Sequence, residues 1–211
     1  MKRHEQVITG LILIQLLVFP SLYWVKKHTK LVPRVEKPKR VNLAATTLIG
    51  NEAELLGARN AEFTLVEFGD YQCPPCAYHN SQIKALLEEY PSKLRFRFHH
   101  FPLQMHTEAM RCALVGEMAR ATGQFWKVHN ALYALNTRVS SQQVAEMLHK
   151  LNVDEAHLSQ VQIASAKKRV EEDVKLADAS NVDATPTFFL CVPTGQVYKL
   201  SDLSQINAYV Q

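Results

Sequence analysis

Glycine is scarce in this chain, seven residues in 211, and there is neither a low-complexity stretch nor a repeat period. Repeat architectures are excluded, and 47% hydrophobic residues suffice for one mixed α/β domain whose core needs no cross-links. Cysteine is scarce as well: of four, only Cys73 and Cys76 form a C-x-x-C, and Cys112 and Cys191 stand alone far downstream. Without a second C-x-x-C, the usual tetrahedral zinc site lacks half its ligands. Beyond Leu43 there is no excess of positive charge. Lys2, Arg3, Lys26, Lys27, Lys30, Arg34, Lys37, Lys39 and Arg40 precede that point against Glu5 and Glu36, so the formal +4 belongs to this arm. The remainder is slightly acidic, which argues against nucleic acid as its partner.

What the N-terminus does contain is an apolar run at residues 7–25, about long enough to cross a bilayer, with Tyr23 and Trp24 suited to its interfacial end. No small-x-small cleavage site follows closely, so an uncleaved membrane anchor is expected rather than a signal peptide. Residues 26–45, with Pro33 and Pro38, read as a basic linker, either lying near anionic headgroups or simply solvated. More positive residues follow the run than precede it, which by the flanking-charge rule would leave the rest of the chain in the cytoplasm. Disulfide chemistry calls for the opposite, oxidising side, and the expectation adopted is extracytoplasmic.

The chemistry centres on the C-x-x-C. Phe63, Leu65, Val66 and Phe68 form a β-favouring run closed by the turn signal Gly69-Asp70. From Cys73 the period changes: Ile83, Leu86, Leu87 and Tyr90 recur at helical spacing, and Pro91 ends the run. The cysteine pair thus sits at a helix N-terminus, where unpaired N–H groups and the macrodipole favour an anion. Cys73 is expected to face solvent as nucleophile, with Cys76 one turn further in to attack a mixed disulfide. Pro74 and Pro75 remove two donors that would otherwise stabilise the thiolate, so the redox poise stays open. The rival is metal handling, copper or zinc held by Cys73, Cys76 and His79, whose spacing is ligand-like but lacks a fourth ligand.

Residues 42–60 carry a weak pattern, read as a lead-in strand or turn. Residues 94–101 alternate apolar and polar as a half-buried strand does, and strand, helix, strand at this length implies a parallel βαβ unit. Residues from about 104 to 180 are helical in pattern. One helix presents Ala109, Cys112, Ala113, Gly116 and Ala119; the next Phe125, Val128, Leu132 and Leu135. The third opens with a Ser140–Gln143 capping box, Asp154 can cap a fourth, and Ala166, Val170, Val174 and Ala177 line the inside of a long last helix. Thr185-Pro186 then leads into an apolar strand, Val197–Leu200 is its antiparallel partner, and Asp202 caps a closing helix.

Three blocks in this order, VEFGDYQCPPC, then FHHFPLQMHTEAMRCA with ATGQFWKVHNALY, then VDATPTFFL, resemble the thioredoxin superfamily and within it the DsbA-like branch of extracytoplasmic thiol-disulfide oxidoreductases. The resemblance covers residues 60–211. It implies an α/β thioredoxin fold with a helical insertion between the second strand of the βαβ unit and a cis-proline strand, here preceded by one transmembrane helix. Cys73 would be the attacking cysteine, Cys76 the resolving one, Pro186 the cis-proline and Thr185 the backbone offered to an extended substrate. Glu67, six residues before Cys73, matches the family's buried acid and would relay the Cys76 proton, the alternative being a solvated side chain. No cofactor is implied beyond the Cys73–Cys76 disulfide itself. The partners implied are client proteins with thiols or disulfides and a redox protein that recycles the pair. His79, His99, His100 and His106 are expected to be structural or surface residues, and Cys112 a buried hydrophobe, a Cys112–Cys191 disulfide being the alternative. The activity expected is that of a membrane-anchored disulfide donor. A reductant or isomerase of the same fold, the metal-handling protein, and an anchored binding module without redox activity are the alternatives.

Overall fold

The computed structural model describes residues 36–50, 55–135, 139–153 and 159–210. Contacts divide the chain after Glu36, and the unit described here is the one that begins at Lys37. The apolar run 7–25, the arm up to residue 35 and the cap position Asp154 lie outside the described residues. Among the described residues no helix is long and apolar enough to cross a membrane.

In chain order the elements are β1 (Lys39–Val41), α1 (Ala45–Ile49), β2 (Leu56–Gly57), β3 (Phe63–Gly69), α2 (Pro74–Glu89) and β4 (Leu94–His100). Four inserted helices follow: α3 (Ala109–Arg120), α4 (Phe125–Ala134), α5 (Ser141–Lys150) and α6 (Gln160–Ala179). Then come β5 (Thr187–Cys191), β6 (Val197–Leu200), a 3-10 turn (Leu203–Ile206) and α7 (Asn207–Val210). The strands make one sheet in the order β1-β6-β5-β3-β4-β2, with β3 and β4 parallel, as the strand, helix, strand pattern requires, and the other pairs antiparallel. Ser140 and Gln143 form the expected capping box on α5, Ser159 and Gln162 form another on α6, and Asp202 caps the 3-10 turn.

Side-chain alternation along β3 sends Leu65 and Glu67 to one face and Thr64, Val66 and Phe68 to the other. On the first face Leu65 packs with Phe96, Phe98, Phe188 and Leu190, beneath Ile83 of α2 and Val128 and Leu132 of α4. On the second, Val66, Phe68 and Phe189 pack with Leu48 of α1 and Ala177 of α6. Because both faces are covered, β3 reads as an almost unbroken apolar run. Cys112 lies in the first of these cores and Cys191 in the second, on opposite sides of the sheet, and each is a free thiol. The disulfide weighed between them is therefore not formed.

Three expectations are corrected. The basic linker does not extend to residue 45: Lys39–Val41 pair with β6, Val41 opposite Val197, and Leu48 of α1 is fully buried. The physical reason is an edge strand, β6, whose unpaired backbone this short segment covers. The half-buried alternation of β4 holds for Arg95 and Arg97 but fails at its end, where His99 and His100 are both buried. On α6 the inward stripe contains Asp173, whereas Val174 is only half-buried.

These last two corrections have one cause. Asp173 binds His99 Nδ1 at 2.5 Å and accepts the His100 backbone N–H at 2.9 Å, while His99 Nε2 meets the Leu48 carbonyl at 2.6 Å. On the other face Glu117 of α3 meets His100 Nε2 at 3.0 Å and accepts from Arg120 Nε at 2.8 Å and Arg169 Nε at 2.7 Å. Burial would raise the Glu117 carboxyl, but the bonds from His100 and Arg120 outweigh it and hold the group well below its ordinary value. Asp173 is lowered too, its burial outweighed by His99. A carboxyl held down in the folded state adds stability that is full above its ordinary value and fades as pH falls through the folded one. Glu117→Gln should therefore cost roughly 3 kcal/mol in denaturant unfolding near neutral pH. The gap to wild type should narrow as pH drops below 4.5, the ordinary glutamate value.

Candidate active site

Cys73 is the N-cap of α2, in extended conformation, with Pro74 and Pro75 filling the first helical positions. A proline costs nothing there, because those N–H groups would have no helical partner. The Cys73 N–H bonds the Asp70 carbonyl at 3.1 Å, and the Cys73 carbonyl accepts the Ala77 N–H at 3.1 Å, the first bond of the helix. With both prolines lacking a donor, the first amide able to serve the Cys73 sulfur is that of Cys76, and it favours the thiolate.

The sulfur itself is not at the surface. Cys73 is only 4% exposed and Cys76 fully buried, while Pro74 and Pro75 form the exposed lip. The solvent-facing nucleophile expected from the helix start is thus corrected, and the reason is the chain before β5. The Thr185–Pro186 bond is cis, and the Thr185 carbonyl accepts the Cys73 S–H at 3.2 Å. The strand entry at Thr185-Pro186 therefore does meet the cysteine pair, through the Thr185 carbonyl and Cys73. Thr185 Oγ1 is buried without a hydrogen-bond partner and favours the Cys73 anion.

The two thiols, both free, are driven apart electrostatically. The Cys76 thiol donates to the Cys73 sulfur and, with Thr185 and the Cys76 amide, outweighs burial and the nearby Asp70 to bring Cys73 down from 9.0 to about 6. Cys76 moves in the opposite direction: burial pushes it up, as do its bond to Cys73 and the charge of Glu67. Near neutral pH the pair holds one thiolate, on Cys73.

Glu67 is 1% exposed, so the buried orientation holds over the solvated one. Its neighbours across the sheet are Phe98 on β4 and Phe188 on β5, and neither carboxylate oxygen has a hydrogen-bond partner. Burial raises its pKa well above 4.5 and the Cys73 charge adds to this, while the Cys76 thiol acts the other way without reversing it. Gly69 is required beside it. A Cβ there would stand 2.4 Å from the Phe98 ring and 2.9 Å from Glu67 Oε1.

His79 does not join the sulfurs. Its Nδ1 meets Gln82 Oε1 at 2.7 Å and its ring packs edge-on against Phe188, 5.3 Å between centroids. Among the described residues no group of three or more His, Cys, Asp or Glu is placed to hold a metal ion. His99, His100 and His106 each meet a buried carboxylate, of Asp173, Glu117 and Asp70 respectively.

Several groups around the pair escaped sequence reasoning. Tyr133 of α4 is buried with its hydroxyl unpartnered, and its ring packs 4.9 Å from Tyr71, which bonds His129 Nδ1 at 3.1 Å. Burial keeps Tyr133 neutral, with Glu67 and Cys76 adding to the effect, and burial likewise lowers His129. Asp70 was legible only as a turn residue, yet its carboxylate accepts the Gln72 N–H at 2.7 Å beneath the Cys73 turn. The signal available was an Asp followed two residues later by a backbone donor, the signature of an Asx turn.

A sequence profile of the family described as Thioredoxin matches residues 51–210. The Na(+)/H(+) antiporter NhaA 3 of Salinispora tropica is 33% identical over 139 residues, which cover 64% of this chain and 21% of the antiporter. The chain spans about a fifth of the length of such curated relatives. Among solved structures, Pseudomonas aeruginosa DsbA2 superposes with a TM-score of 0.59 at 23% identity, covering 76% of this chain and 93% of that one. A periplasmic thioredoxin-like protein from Salmonella enterica serovar Typhimurium gives 0.63 at 18% identity, covering 81% and 95%. The chain belongs to the thioredoxin family, and its fold is the α/β thioredoxin fold with a helical insertion.

Proposed function

We propose that this protein is a thiol-disulfide oxidoreductase that donates its Cys73–Cys76 disulfide to client proteins, anchored through residues 7–25 with its folded unit outside the cytoplasm. The observation that carries the reading is the asymmetry of the two sulfurs, Cys73 brought down to about 6 and Cys76 raised. A thiolate this stable is a good leaving group, and its stability favours the dithiol form, so the disulfide tends to pass to others. That preference sets donor ahead of reductant or isomerase.

In the donor direction a client thiolate attacks Cys73 Sγ. The Cys73–Cys76 bond breaks and Cys76 leaves with the electron pair, taking a proton from Glu67. The client's second thiolate then attacks the client sulfur of the mixed disulfide and expels Cys73 as thiolate. The client loses two electrons and gains a disulfide, and the protein gains both as a dithiol, which a redox partner must reoxidise. Glu67 suits proton exchange with Cys76 because burial keeps its carboxyl protonated over a wider range than an exposed acid. Thr185 and Pro186, lying against Cys73, are the place for an extended client segment.

Location outside the cytoplasm rests on the need for an oxidising compartment, and it agrees with the periplasmic setting named for the Salmonella neighbour. Metal handling loses support because His79 is occupied by Gln82 and Phe188.

Two experiments test the proposal. Reduced Cys76→Ala, offered disulfide-containing clients, should accumulate thiol-sensitive adducts on Cys73, because in that direction Cys76 is the sulfur that resolves them, and Cys73→Ala should accumulate none. Absence of adducts from both would reject the exchange chemistry. Glu67→Gln should slow formation of the mixed disulfide, the step in which Cys76 leaves, by about 10- to 100-fold near neutral pH and flatten its pH dependence, read in stopped-flow traces. Unchanged kinetics would remove Glu67 from the mechanism.

A further inference from the structure

We propose that His106 is a positioning residue for the thiol chemistry: its ring pairs with the Asp70 carboxylate and offsets, beneath the active-site turn, a negative charge that works against the Cys73 thiolate. The inference rests on the oxidoreductase reading above and extends it to a loop that no part of that reading uses.

The Asp70 side chain is fully buried, and three donors meet it. Oδ1 accepts the Gln72 N–H at 2.7 Å, and Oδ2 takes the Leu103 N–H at 2.9 Å and His106 Nδ1 at 2.7 Å. Its own main-chain carbonyl holds the Cys73 N–H at 3.1 Å, so carboxylate and nucleophile share one turn. The loop between β4 and α3 is tied to the same turn a second time, by the Glu108 N–H donating to Gln72 Oε1 at 2.6 Å. Of the groups that meet the carboxylate, only His106 can bring a full charge, and its side chain is 20% exposed and reachable from solvent.

A buried carboxylate next to a nucleophilic sulfur is an odd choice for an enzyme that needs the thiolate, because like charges repel strongly where water is excluded. Asp70 does oppose ionisation of Cys73, and also of Cys112, where burial is the largest cause, Glu108 adds to it and Arg111 acts the other way. The other groups facing Cys73 are Cys76 and Thr185, which favour the anion, and Glu67, on which Cys73 acts in turn. None of these neutralises Asp70. The imidazole of His106 does so when it carries its second proton, and it does so from the loop rather than from the redox pair.

The test is the rate at which iodoacetamide labels Cys73 in the reduced full chain, with Cys73 peptides counted by mass spectrometry. At about pH 5, below the midpoint, the rate follows the thiolate fraction, and His106→Gln should label about three- to tenfold more slowly than wild type. At about pH 9, where the thiolate is complete, the two should agree. His106→Lys, which keeps a positive charge, should stay close to wild type. In an Asp70→Asn background the His106→Gln change should have no further effect. Equal rates for wild type and His106→Gln at the lower pH, equal slowing by Gln and Lys, or a slowing that persists without Asp70 would each overturn the proposal. If Asp70→Asn fails to fold, the Gln and Lys variants decide alone. A wild-type rate that does not rise between the two pH values contradicts the reading of Cys73 itself, not the role of His106.

Discussion

The stabilisation that the Cys76 thiol gives to a charge on the Cys73 sulfur, at the entrance of α2, is the interaction on which the rest depends. It exists because the pair is separated by one helical turn whose first two residues are prolines, so the sulfurs face each other and the first free amide belongs to Cys76. It also makes the pair unequal. Any charge on Cys73 is shared with a donor, while a charge on Cys76 would be cut off from solvent and opposed by Glu67, which together outweigh the backbone bond at Asp70. The difference between attacking and buried sulfur is thus a consequence of position along a single turn.

The remainder of the fold keeps that turn dry and in place. Below it, Glu67 stands between Phe98 and Phe188 with both oxygens unpartnered, an expensive arrangement for a structural residue and one that suits the proton relay proposed for it. Beside it, the residues before β5 bring Thr185 and the cis-proline against Cys73, a contact between positions 112 residues apart that only the central antiparallel pairing of β3 with β5 can produce. The inserted helices serve both faces. They supply the aromatic group of His129 and Tyr133 above the first core, and Glu117 and Asp173 to complete the two histidines at the end of β4.

Much of this was legible in the chain. Period changes located β3, α2, β4, β5 and β6, and the capping box of α5 was read from Ser140 and Gln143 alone. Local patterns suffice for these because each element buries a face of its own. Cys73, Cys76, Thr185 and Pro186 came from motif and resemblance, and the structure brings them together. The rest was hidden for definite reasons. β1 is three residues in a basic, proline-containing arm, and its partner is far away at β6, so charge concealed a strand. Asp173 looked like an outward residue on a charged helix because its partners, His99 and the His100 amide, are 73 to 74 residues distant. The near-complete covering of Cys73 depends on a strand entry more than a hundred residues downstream, and helix position alone predicts the reverse.

The central claim, that the fold stabilises a thiolate on Cys73, has a thermodynamic signature that activity cannot imitate. Because the folded value of about 6 lies below the ordinary 9.0, the unfolded dithiol binds more protons between these limits, and folding becomes more favourable there as pH rises. The disulfide form has no such thiol. Unfolding the dithiol and disulfide forms in guanidinium at pH values about one unit apart, from about 5 to about 9, should show the dithiol form gaining stability relative to the disulfide form as pH increases. A stability difference between the two forms that stays constant across that range would contradict the account.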